Sequence, residues 1–187
     1  MKNALIFLID TFTRLYLLIL LLRFWLPIVR ANFRNPVAQG VLRYTSPAVV
    51  PVRRFIPAIG KLDTATVLVA LVIQVLATVL ILFILRGFGA GEALASSFPS
   101  IVGAAIVDLA SMSVVMFLVA IALRVILGFF GRYLGPLTDL LNDLTNPLLR
   151  PVRNIIPPLG VVDISAYIVF ILLIALNMVL ADLRPVF

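Results

Sequence analysis

The chain has 187 residues, 63% of them hydrophobic and only 12% charged, about half the charged share of an ordinary soluble domain. Its mean hydropathy is +1.21, too much apolar side chain for a soluble fold of this length to hide, so lipid is part of its solvent. Neither Cys nor His occurs, which excludes disulfides, thiol chemistry, Cys/His zinc sites and Ser-His-Asp or Cys-His nucleophiles; no catalytic residue, metal or cofactor is expected.

Four apolar stretches are long enough for the roughly 20 helical residues that cross a bilayer. They run over about 4–28, 66–85, 101–127 and 164–181. The first is too long for the apolar core of a secretory signal and is interrupted by Asp10 and Arg14, so a retained membrane helix is expected. Its end, Leu22-Arg23-Phe24-Trp25, and the end of the third, Leu123-Arg124-Val125, have the aromatic and snorkelling side chains of a headgroup boundary.

The connection 29–65 carries Arg30, Arg34, Arg43, Arg53, Arg54 and Lys61; the connection 128–163 carries Arg132, Arg150 and Arg153. The other side of a four-crossing chain has Lys2, Arg86 and Arg184. The positive-inside rule then places both long connections in the cytoplasm and both termini outside, in the periplasm of a bacterium. The net charge of +7 is read as basic loops against anionic headgroups, and direct nucleic-acid binding is not expected. Residues 86–100, with several Gly and Ser, read as a plain linker.

Residues 45–63, T-S-P-A-V-V-P-V-R-R-F-I-P-A-I-G-K-L-D, recur without a gap as 145–163, T-N-P-L-L-R-P-V-R-N-I-I-P-P-L-G-V-V-D. The chain is therefore two parallel repeats, 1–85 and 101–187, each a helix, a Pro/Arg-rich interfacial loop with short helices, and a second helix. In each copy Pro47 or Pro147 is expected to open a short helix after a capping Ser46 or Asn146. Pro51 or Pro151 should kink or restart it, and Pro57 or Pro157 should stop it. Gly60 or Gly160 permits a tight turn, and Asp63 or Asp163 caps the next membrane helix. A re-entrant loop is the alternative to an interfacial one. Left over from this punctuation are Arg53, Arg54, Arg150 and Arg153, expected to contact headgroups or a partner.

Within the spans, Asp10 and Arg14 are one helical turn apart and can pair. Counting about 1.5 Å per residue from Arg23, Arg124 and Asp163 puts Asp10, Asp108 and Asn177 in one outer layer, with Gln74 and Arg14 nearer the middle. Such groups are structural glue or the lining of a path.

The L-R-F-W of residues 22–25, the N-P-V-A-Q of 35–39 and the twice-used T-x-P-x-x-x-P-x-R-x-x-I-P-x-x-G-x-x-D resemble the YggT family of membrane proteins, in its two-repeat form. The resemblance implies a multi-pass protein of the bacterial cytoplasmic (inner) membrane. It also implies links to cell division and nucleoid distribution, to cofactor assembly on a membrane cytochrome, or to osmotic and cation tolerance, without an enzymatic mechanism. The reading is a non-enzymatic scaffold or assembly factor working through its cytoplasmic Pro/Arg loops. The alternative is a small transporter or channel component using Asp10, Asp108, Gln74 and Asn177. The partners expected are anionic lipid, other membrane proteins and, for a conduit, further copies of the chain.

Overall fold

The computed structural model describes residues 2–60, 62–86, 98–129, 135–155 and 164–184. They form six helices, α1 (Lys2–Ile28), α2 (Pro36–Arg53), α3 (Thr64–Arg86), α4 (Phe98–Phe129), α5 (Pro136–Ile155) and α6 (Ile164–Asp182), and no β-strand. Helices α1, α3, α4 and α6 are long and apolar enough to cross a membrane. Their apolar side chains lie on every side, as a lipid-facing helix requires, and Phe7, Phe12, Leu76, Val119 and Leu172 are all exposed. The chain is an all-α, multi-pass membrane protein.

Helices α2 and α5 are of another kind. Each buries one narrow stripe at three- and four-residue spacing: Ala38, Val41, Thr45 and Val49 in α2, and Leu140, Leu141, Leu144, Thr145 and Leu149 in α5. That period lays a helix flat along a surface with its polar face outward. Helix α2 packs on α1 and α3, α5 packs on α4 and α6, and the two touch each other. Both therefore lie at the same end of the bundle.

The expected short, broken helices are instead single helices of 18 and 20 residues. Each runs through two prolines, Pro47 and Pro51 or Pro147 and Pro151. The true start of α2 is upstream, at Asn35, whose side chain accepts the Val37 N–H at 2.8 Å, with Pro36 in the first turn. The internal prolines do not break the helix because all four are on its exposed side. A helical proline removes the partner of the carbonyl four residues back. For Pro47 and Pro51 those carbonyls belong to Arg43 and Pro47, both also exposed, where water or headgroups can satisfy them.

At the end of α1, Arg30 takes a left-handed φ of 58°. The Ala31 N–H bonds the Leu26 carbonyl at 3.0 Å and the Arg30 N–H bonds that of Pro27 at 3.4 Å, a Schellman ending with a non-glycine residue at its strained position. The turn that follows docks on the other repeat. The Asn32 N–H donates to Asp143 Oδ2 at 2.9 Å, and Asn35 Nδ2 donates to the Pro136 carbonyl at 2.6 Å.

Two apolar cores result among the described residues. One, in the first repeat, gathers Leu17, Leu20, Val49, Ala65, Val69 and Ala70 with Leu109 of α4. The larger is centred on the second repeat but includes Leu26, Ala31, Ala38 and Val41 of the first. Helices α3 and α4, and to a lesser extent α1 and α4, complete the seam between repeats.

Candidate functional site

Each proline helix is held down by an arginine from the preceding membrane helix. Arg23 Nη1 donates to Thr45 Oγ1 at 2.9 Å and, at 3.3 Å, to Ser46 Oγ and the Leu42 carbonyl. Arg124 Nη1 makes the same reach, to Thr145 Oγ1 at 2.5 Å and Asn146 Oδ1 at 2.9 Å. Both threonines are fully buried, and each hydroxyl donates in turn to the carbonyl four residues back, Val41 or Leu141, at 2.6 or 2.7 Å. The hydroxyl thus accepts from the guanidinium and donates its single proton to its own helix.

Arg23 therefore does not snorkel to a headgroup boundary, as its sequence position suggests. Its side chain is 5% exposed, and its Nε lies 3.6 Å from Asp63 Oδ2, itself 5% exposed. Asp63 also accepts from Arg53 Nη2 at 2.9 Å, and its Oδ1 lies 3.4 Å from the Thr66 N–H, at the start of α3. One carboxylate therefore ties α1, α2 and α3 together. Two arginines share it, so the cluster keeps one surplus positive charge.

The connection from α2 to α3 is compact. Gly60, at φ 61°, turns the chain between Ile59 and Leu62, whose backbones exchange bonds of 3.1 and 3.0 Å. A Cβ at Gly60 would meet no atom within 4 Å, so glycine is needed for the dihedral alone. Pro57 lies past the end of α2, and Thr64 Oγ1 donates to its carbonyl at 2.8 Å. Phe55 is 86% exposed, and Ile59 and Leu62 stand out beside Arg53 and Arg54. Apolar and basic side chains interleaved in this way suit a headgroup–acyl boundary. In the second copy Pro157, Gly160 and Asp163 lie outside the described residues.

The outward stripes of the two helices coincide at their prolines and differ in their charged positions. That of α2 carries Arg43, Pro47, Val50, Pro51 and, just past its end, Arg54; that of α5 carries Pro147, Arg150, Pro151 and Asn154. Arg54 and Arg150 are exposed, Arg53 is half committed to Asp63, and Arg153 is half-buried and bonded.

Among the described residues, the polar side chains of the spans are partnered as follows. Arg14 pairs with Asp10 along α1 at 2.8 Å. Asp108 accepts from Gln74 Nε2 at 3.1 Å and pairs with Arg184 at 3.1 Å. Ser111 Oγ donates to Asn177 Oδ1 at 2.6 Å. Among the described residues, Asp10 bonds Arg14 and neither Asp108 nor Asn177. The sequence reading missed Arg184 as a partner, and missed the Arg–Thr clamps. The clamps had left a signal, because an L-R pair precedes the repeated Thr by 22 residues in one copy and by 21 in the other.

The family model described as CCB3/YggT matches the chain twice, over residues 2–84 and 103–184. Relatives of similar length include an uncharacterized protein of Vibrio alginolyticus, 33% identical over 97% of this chain and 95% of its own. Another is the uncharacterized protein YggT of Escherichia coli K12, 33% identical over 96% of this chain and 90% of its own. A third, from Pseudomonas aeruginosa, is 36% identical over 97% and 90%. No solved structure matches significantly.

Proposed function

Since the chain belongs to the CCB3/YggT family and carries four helices fit to cross a membrane, we propose that it is a non-enzymatic scaffold of the bacterial inner membrane. Its working surface is the paired outward stripes of α2 and α5, on the cytoplasmic side, against anionic headgroups and other membrane proteins. The observation that carries this reading is the arginine clamp on a buried threonine, made twice. It fixes two Pro/Arg faces at one end of a bundle, and the faces themselves are left outside the core. A helix that served only to plug the bundle would need no such exposed, repeated face.

Photo-cross-linkers at Arg54 and Arg150 in native membranes test it. Discrete adducts to neighbouring proteins are expected there and not from a lipid-facing control at Leu76; equal labelling at all three positions would sink the reading. Reporter fusions near Gly91 and at Phe187 should read as periplasmic, and a cytoplasmic readout at both would reverse the assigned sides.

A second reading, a component of a small conduit or of cation tolerance, is favoured by the contacts Gln74–Asp108 and Ser111–Asn177 inside the spans, with Arg184 reaching Asp108 from just past the last one. It predicts that Asp108→Asn abolishes ion flux in proteoliposomes while assembly is kept. Against it, Asp108 already has a guanidinium as counter-charge, the arrangement of a structural tie.

A further inference from the structure

The outer half of α1 carries a charge pair that the bundle leaves largely bare. Residues 3, 7, 10, 14, 17 and 21 follow at steps of four and three, so they form a single stripe along the helix. Toward α2 that stripe is core: Leu17 and Leu21 are buried, and Leu17 packs with Val69, Ala70 and Leu109. Further out the same stripe holds Asn3, Phe7, Asp10 and Arg14. There Phe7 is 66% exposed, and the side chains of Asp10 and Arg14 are 42% and 62% exposed.

On a soluble helix such a pair would be an ordinary solvated face. Here it lies within a span. Arg23 meets α2 through Thr45. Counting along the helix, Arg14 and Asp10 stand about 14 and 20 Å outward of it, inside a hydrocarbon layer about 30 Å thick. Charge at that depth is kept where protein meets it. The pair does not satisfy itself. Arg14 reaches Asp10 through Nε alone, 2.9 Å from Oδ1 and 2.8 Å from Oδ2. Among the described residues, the four N–H groups of its two Nη atoms meet no acceptor, and the Asp10 carboxylate has no second donor.

Whatever covers this stripe has to supply acceptors and donors together. A lipid phosphate would serve the guanidinium and repel the carboxylate, and a cation would do the reverse. A second copy of the stripe offers both. Copies in one membrane share an orientation, and a twofold axis along the membrane normal sets equal depths side by side. Arg14 is already drawn up to the level of its own carboxylate, so the charges of two copies fall in one layer. Each guanidinium can then hold its own Asp10 through Nε and the other copy's carboxylate through Nη, and the signs alternate around the axis. Phe7, one turn outward, supplies apolar bulk beside the charges. We propose that the chain forms a twofold-symmetric homodimer through the outer half of α1, held by this ring of alternating charge. The contact lies away from the docking faces of α2 and α5, so either can fail alone.

The chain has no cysteine, so a single introduced thiol reports its neighbours without background. In native membranes, full-length Phe7→Cys oxidised with copper phenanthroline should give a disulfide-linked dimer. Its yield should be about fivefold or more above that of Leu5→Cys, also exposed but about 200° around the helix from Phe7. In proteoliposomes, energy transfer between chains labelled at the C-terminus, followed as lipid dilutes them, reads the affinity. Asp10→Asn or Arg14→Gln should weaken it about tenfold, the worth of a strong polar contact between membrane helices. Asp10→Arg and Arg14→Asp should each abolish self-association and, mixed, restore it as an unlike pair, which a bond within one chain does not predict. Should either fail to insert, Asp10→Asn and the cross-link decide. Equal cross-linking at the two positions, no linked dimer, or an Asp10→Asn affinity equal to the wild type overturns the dimer. A Phe7→Cys adduct to a different protein gives the stripe to another partner and overturns it as well.

Discussion

A guanidinium is held inside a bundle only where acceptors and a counter-charge meet it. Arg23 has Thr45, Ser46, the Leu42 carbonyl and Asp63 around it. Removing one partner strands the other, so Arg23→Met and Asp63→Asn should each cost about 3 kcal/mol in thermal unfolding in micelles. The double variant should cost clearly less than the sum; strict additivity would show that the two charges do not depend on each other. Arg53 is 48% exposed on its side chain, so Arg53→Gln should cost under about 1 kcal/mol. Arg30, in a left-handed conformation, gives the opposite sign. Arg30→Gly should raise stability by about 1 kcal/mol, since the residue's Cβ is what strains that dihedral.

At the scale of the element, α2 and α5 show why proline content alone misleads. The repeat was legible in the sequence down to its register, and Gly60 and Asp63 stand in the structure at a turn and at the start of α3. The continuity of the helix was not legible. Whether a proline breaks a helix depends on whether the carbonyl it orphans has water to turn to, and that depends on which face the bundle covers. Pro51→Ala should therefore stabilise α2 by about 1–2 kcal/mol, less than the full helix-propensity difference because the unfolded chain also gains freedom. Val49→Ala, two residues away on the buried stripe, should instead cost about 1–2 kcal/mol. Both are read from the midpoint of thermal unfolding followed by circular dichroism. Loss of stability in both would mean that the prolines are packed, not exposed.

For the whole molecule, the contacts that sequence reasoning could not supply are those joining distant segments. Arg184 reaches Asp108 across 76 residues, and Asn35 reaches Pro136 across 101. No local period encodes either pairing. Depth along a helix placed Asp108 and Asn177 near the same level, but rotation about the helix axis decides partners, and it directs one to Gln74 and the other to Ser111. Asn35→Ala removes both the cap of α2 and a bond across the seam. It should cost about 2 kcal/mol, the sum of a lost N-cap and a lost hydrogen bond. Ser46→Ala, on the same helix but away from the seam, should cost well under half of that.

The unequal division of the apolar cores has a consequence for the order in which the protein is made. Chains fold from the N-terminus as they emerge, and α1 to α3 can enter the membrane before α4 exists. Yet Leu26, Ala31, Ala38 and Val41 belong to a core whose other members are supplied by α4, α5 and α6. A nascent first half therefore waits with one side of α2 uncovered, while Arg23 already anchors its middle through Thr45. A ribosome halted between the repeats should leave α2 exposed to protease at its Asn35 end and shielded near Val49, and release of the full chain should close that window.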